Sequence, residues 1–174
     1  MRSLAEAVAG GPITGSWRGH AKGRLIYRLG RVLRASDQVL TVRLVEGKVS
    51  FVDRSLWVEL YRIAMEPSRR RRALEGLSEK ARELLTAVER GHVVSHRDDV
   101  SDEVPDETLE LRLLVHVSAR QGADKRPITV LRAWRDWASD ELKQVAADLS
   151  YEDALQRIRE VCGGAPGGLG PWIP

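Results

Sequence analysis

Residues 17–23 read Trp-Arg-Gly-His-Ala-Lys-Gly and run straight into a helical pattern beginning near Arg24. Amides at a helix start attract anions, and glycine lets a ligand come close to the backbone. Arg18, His20 and Lys22 add donors and positive charge, so the segment has the chemistry of a phosphate site. Arg24, Arg28, Arg31 and Arg34 follow, and the first three share one helical stripe. Trp17 can stack on a base or sugar, with Tyr27 nearby. More cations sit at Arg69, Arg70, Arg71 and Arg72, and at Arg120, Lys125 and Arg126 around a hairpin tip. Together with the Trp17 segment these are the candidate nucleic-acid contacts. A solvated basic face preceded by a turn has the same composition, and the spacing is neither a Walker loop nor a dinucleotide fingerprint.

Catalytic and metal-binding sets are harder to assemble. His92 and His96, followed by Asp98 and Asp99, have a zinc-like spacing if helical. Gly91, Val93 and Val94 argue against a helix there, and no cysteine lies close, so no metal is expected. His116 alternates with Val115 and Val117, which predicts a place on the polar face of a strand. His20 is the best general base, acting on a phosphorylated substrate at the 17–23 loop, but it has no adjacent acid or nucleophile. Cys162 falls at a helix end, where the dipole disfavours a thiolate. Trp57, Trp134 and Trp137 fall on helices and predict packing rather than a ligand cage. No catalytic residue and no cofactor is expected.

The elements that must position these residues are legible as periodicity and caps. Ser3 caps a short helix over 4–8, residues 10–19 form a loop, and 23–35 a helix ending at Ser36-Asp37. Val39–Val45 and Lys48–Val52, joined by Glu46-Gly47, predict a β-hairpin. Asp53 caps a helix that stops near Pro67, and 68–76 reads as a basic linker. Ser78 opens a helix closed by Gly91, a short strand lies at Val93-Val94, and Pro105–Leu114 is helical. Residues 114–118 and 128–131 predict a second hairpin, 132–149 one amphipathic helix, and 151–161 a last helix. The tail 163–174, rich in Gly and Pro, is expected to be flexible.

The totals set the frame. At 174 residues with 43% hydrophobic and 30% charged residues, the chain can bury a core and is not a disordered composition. A lone cysteine excludes an internal disulfide framework and fits a reducing compartment. No segment reads as a signal peptide or membrane span, so a cytoplasmic protein with no membrane partner is expected. Residues 1–72 hold fifteen basic and six acidic side chains, a net of +9, and residues 73–174 hold thirteen and nineteen, a net of −6. The front half therefore meets something anionic, or meets the back half.

The stretches Gly15-Ser16-Trp17-x-Gly19-His20-x-Lys22-Gly23, Leu44-Val45-x-Gly47-Lys48-Val49-x-Phe51-Val52 and Leu56-Trp57 resemble an uncharacterised bacterial family. So do Leu113-Leu114-Val115-His116 and Val130-Leu131-x-x-Trp134-x-x-Trp137-Ala138 in the back half. The resemblance spans most of residues 15–138 and implies one evolutionary unit, but no substrate, cofactor or catalytic residue. Where members carry a His-rich wing, this chain has Arg120-Gln121-Gly122-Ala123-Asp124-Lys125-Arg126, so a role resting on histidines does not transfer.

The expected architecture is α+β and mainly helical. A basic helix–hairpin–helix unit at 1–67 packs on a winged-helix-like unit at 77–162, with 115–131 as the wing. The favoured function is nucleic-acid binding, with DNA the expected ligand, through the basic N-terminal face and the wing tip. The rivals are a protein-interaction or accessory subunit, including a homo-oligomer, and an enzyme at the Trp17–Gly23 loop.

Overall fold

In the computed structural model, which describes residues 3–45, 47–91, 94–96, 105–121 and 127–162, Ser3 opens helix α1 (Leu4–Ala9) with a reciprocal cap. Its hydroxyl accepts from the Glu6 N–H at 3.1 Å, and the Glu6 carboxylate accepts from the Ser3 N–H at 2.9 Å. A 3-10 turn, Trp17–Gly19, leads into α2 (Gly23–Ala35), which buries Ile26 and leaves Leu25, Tyr27 and Val32 exposed.

Strands β1 (Val39–Val45) and β2 (Lys48–Asp53) form the first hairpin, with Val39 opposite Asp53 and Arg43 opposite Val49. Gly47 takes φ +69° at its tip, and a Cβ there would come within 3.0 Å of Leu111 Cδ2, so the tip is docked on the second half of the chain. The Asp53 carboxylate accepts from the Ser55 N–H at 2.9 Å and starts a 3-10 turn into α3 (Trp57–Met65).

Pro67 does not end the helical region. Glu66 caps a new helix, α4 (Pro67–Leu74), with Pro67 in its first turn, where the missing N–H costs nothing. The segment expected as a basic linker is thus helical from its start to Leu74. Ser78 then caps α5 (Glu79–Glu89), as its position predicts.

Strand β3 (Val94–His96), α6 (Pro105–Leu111), β4 (His116–Gln121) and β5 (Pro127–Arg132) follow. They form an antiparallel sheet of order β3-β5-β4, with His96 opposite Thr129 and Ser118 opposite Val130. Helix α6 is shorter than expected because Leu113 turns left-handed at φ 49°. Its N–H bonds the Glu110 carbonyl and the Leu114 N–H bonds the Leu109 carbonyl, the closing pattern usually built on glycine.

The expected long helix over 132–149 is broken. Short α7 (Trp134–Trp137) ends at extended Ala138, and Ser139 caps α8 (Asp140–Ala147) by accepting from the Leu142 N–H at 3.2 Å. Helix α9 (Tyr151–Cys162) completes the described chain. The fold is α+β and mainly helical, as the periodicities predict.

Two apolar clusters hold it together. One joins Leu40, Val42 and Val52 of the first hairpin and Leu60 and Ile63 of α3 to Leu113, Trp134, Leu155 and Ile158. The other joins Ala73 and Leu77 to Leu85, Val88, Leu109, Val115 and Leu131. At about 1.5–3 kcal/mol for each large buried aliphatic side chain, both clusters contribute heavily to the fold. The division at residues 68–76 is therefore not a boundary between cores, since the hairpin and α3 share theirs with α7, α8 and α9.

Candidate nucleic-acid interface and adjoining cleft

Helix α2 positions the basic stripe. Ile26 is buried and Leu29 and Leu33 half-buried, so the opposite side, carrying Arg24, Arg28 and Arg31, faces solvent. None of these three guanidinium groups makes an ion pair or hydrogen bond among the described residues. Tyr27, 57% exposed, lies between the stripe and Arg34 on the helical wheel.

The loop before the helix is not a phosphate cradle. The Lys22 ammonium, the His20 Nδ1 and the Gly23 N–H are spent on the chain itself. The Lys22 ammonium donates to the Val8 carbonyl at 2.9 Å and the Ala9 carbonyl at 3.4 Å, holding the C-terminal end of α1. His20 Nδ1 accepts from the Lys22 N–H at 3.1 Å, and the Gly23 N–H donates to the His20 carbonyl at 2.7 Å. Gly23 is required because a Cβ there would sit 2.8 Å from the Arg18 carbonyl oxygen and 2.9 Å from that of Trp17. Carbonyl oxygens therefore crowd the helix start where an anion was expected. Trp17 is half-buried under Arg18, whose guanidinium carbon lies 5.8 Å from the ring centroid. Lys22 and His20 are committed locally and are not arranged around a substrate.

The Arg69–Arg72 run divides in two. Arg69 is 1% exposed and cannot reach a phosphate. Its guanidinium donates to the Arg112 carbonyl at 2.8 Å and to the Ala64 and Leu113 carbonyls at 3.1 Å, joining the ends of α3 and α6. Burial, reinforced by the charges of Arg70 and Arg72, lowers its pKa to about 10, still protonated at neutral pH. Arg70 pairs with Glu89 of α5. Arg71 and Arg72 remain exposed on α4.

Other cations of the chain are also spent internally. Arg43 of β1 pairs with Glu107 and Glu110 of α6, both at 3.0 Å, and donates to the Gly47 carbonyl at 3.1 Å. Those carboxylates thus face the first hairpin. Arg112 donates to the Ala73 carbonyl at 2.8 Å, and Arg135 donates to the Glu89 carbonyl. Arg62 donates to the Leu149 carbonyl at 2.9 Å. On the second hairpin, Arg120 lies in β4, while Lys125 and Arg126 lie outside the described residues. So do His92, Asp98, Asp99 and the 163–174 tail. No group of acidic, His or Cys side chains able to hold a metal exists among the described residues.

Sequence reasoning missed a cleft of about 510 Å³ between the end of α2, the first hairpin and β4. Trp57, His116 and Trp137 form its aromatic wall, and Arg34 and Arg132 bring positive charge. His116 is 6% exposed, not on a polar face: its ring stacks on Trp137 at 5.2 Å and meets Trp134 edge-on at 5.7 Å. Val115 and, in β4, Val117 pack on one core cluster while His116 meets the tryptophans on the other side. Trp57 packs edge-on to Trp137 at 5.4 Å and donates its Nε1–H to the Val52 carbonyl at 3.2 Å. The two tryptophans are eighty residues apart, so no local pattern brings them together. Within α7, Trp134 enters the core while Trp137 reaches the cleft.

No helix among the described residues is long and apolar enough to cross a membrane. No family model, curated protein or solved structure matches the chain, so geometry and sequence carry the reading that follows.

Proposed function

We propose that this protein binds nucleic acid, with the outward face of α2 as its phosphate-contacting surface. One observation carries the reading. Arg24, Arg28 and Arg31 point to solvent with no partner among the described residues, whereas Arg43, Arg62, Arg69 and Arg70 of the same basic half are consumed by carboxylates or helix-end carbonyls. Free guanidinium groups on one stripe attract phosphates and release counterions. Arg18 on the adjoining turn and the exposed Arg71 and Arg72 of α4 are further cations available to a polyanion.

The order α5, β3, α6, β4, β5, with β5 central in its sheet, supports a winged-helix-like back unit. In that arrangement α6 is not the reading helix, because Arg43 holds its carboxylates, and the wing is the remaining contact. Fluorescence anisotropy with a labelled DNA duplex, titrated between 50 and 300 mM salt, tests the reading. Affinity falling steeply with salt is the expected result; no binding, or tight binding indifferent to salt, refutes it.

A second reading, a protein-interaction or accessory subunit, is favoured by Leu25 and Val32, 47% and 64% exposed beside the arginine stripe. Light scattering showing a stable oligomer that ignores nucleic acid would select it.

A further inference from the structure

The aromatic cleft lies at the end of the same helix that carries the free arginines. Arg34 is one turn beyond Arg31 on α2 and lines the cleft, so a phosphate chain following the stripe arrives at its opening. We propose that the cleft receives a single nucleobase with its phosphate, either unstacked from a strand lying on α2 or as a free nucleotide. The strand form rests on the reading of α2 given above.

The volume of about 510 Å³ falls in the range of about 300–1,000 Å³ typical of small-ligand sites. Trp57 and Trp137 are only partly buried and also line a second, smaller cleft on their other side, so this aromatic pair is a wall and not sealed core. A planar base is the ligand that an indole wall accepts without demanding a particular sequence. The polar groups complement it. Arg34 is exposed, and Arg132 brings a second guanidinium group to the lining. A guanidinium fork on the lining suits the oxygens of a phosphate. Thr41 and Ser118 supply hydroxyls. The carboxylates nearby are restrained: Glu110 is held by Arg43 at 3.0 Å, and Asp37 accepts from the Gln38 side chain at 3.2 Å. The cleft thus offers stacking, two guanidinium groups and hydroxyl donors in one place.

Three duplexes of equal length and charge test the proposal: one fully paired, one with a single unpaired 2-aminopurine, and one with an abasic position there. AMP is the free-nucleotide probe. The expected result is that the unpaired-base duplex binds about five- to hundredfold more tightly than the abasic one, with 2-aminopurine emission altered on binding. Arg34→Ala, at an exposed position, and Ser118→Tyr, which fills the cleft, should shrink that preference while circular dichroism stays native. Replacing Arg24, Arg28 and Arg31 by Ala should weaken all three duplexes alike. Salt-dependent binding with no discrimination between base and abasic site, and no AMP binding, overturns the cleft proposal and leaves the α2 reading standing. AMP binding abolished by Ser118→Tyr, with no duplex bound, upholds the cleft as a nucleotide site and overturns the α2 reading. Failure of every probe overturns both.

Discussion

Removing Arg24, Arg28 and Arg31 together is the perturbation that most directly separates a phosphate-binding face from an ordinary solvated one. All three are exposed, and none is bonded among the described residues, so the Ala variant should fold as the parent does. If each guanidinium neutralises one phosphate, each contributes about 0.9 to the slope of log affinity against log salt on duplex DNA. The triple variant should then lose about 2.7 from that slope, and the affinity change between 50 and 200 mM salt should shrink about fortyfold. The measurement is anisotropy at five or six salt concentrations on one duplex. Arg70→Ala is the control, because that side chain is engaged by Glu89 and should leave the slope within about half a unit. A triple variant with the parental slope would show that α2 does not touch the phosphates, and the reasoning would fall.

Arg69→Met should cost about 3–5 kcal/mol in urea denaturation, because three charge-assisted bonds to the ends of α3 and α6 disappear from a site 1% exposed; a loss under about 1 kcal/mol would show those carbonyls are satisfied otherwise. For Glu66, burial raises the pKa, but hydrogen bonds from Arg62 and Ser68, with the Arg62 charge, outweigh it and hold the carboxyl below its ordinary 4.5. The unfolded chain then binds the proton more readily, so Glu66 stabilises above that ordinary value and its contribution is lost as pH falls through the folded one. Glu66→Gln should flatten the acid limb of the stability–pH curve, and an unchanged limb would contradict the assignment. Burial pushes the Cys162 thiol pKa up, so a disulfide reagent at neutral pH should modify the folded chain far more slowly than the urea-unfolded one.

The start of each long element was legible because its signal is local. Ser3, Ser78 and the Glu46-Gly47 turn act within four residues of themselves, and each predicts its element correctly. Three boundaries were not, for distinct reasons. Pro67 both follows one helix and opens another, and only Glu66 reaching Ser68 tells which. Leu113 adopts a conformation that favours glycine; its side chain is buried in the core and its carbonyl is held by Arg69, forty-four residues away, so tertiary contacts bear the local strain. The Ser139-Asp140-Glu141 start of α8 was present in the sequence but masked by apolar periodicity running through it. The cleft was invisible for a deeper reason, since its wall joins Trp57 and Trp137 from distant helices.

The arginines show why composition alone overstates a nucleic-acid reading. In this fold the cations near a helix C-terminus repeatedly belong to another element: Lys22 on α1, Arg69 on α3 and α6, Arg112 on α4, Arg135 on α5 and Arg62 beyond α8. Each sits where carbonyl oxygens point outward and the helix dipole is negative, so a positive side chain both satisfies an acceptor and is favoured electrostatically. Many short helices create many such ends, and arginine, with five donors in a planar fork, can serve two ends at once as Arg69 does. The demand for basic residues is therefore partly architectural, and the +9 of the front half cannot be assigned wholesale to a partner. What distinguishes α2 is that its stripe faces no helix end and no carboxylate among the described residues. A functional surface in such a chain is found by subtraction, and Arg24, Arg28 and Arg31 are what the subtraction leaves on α2.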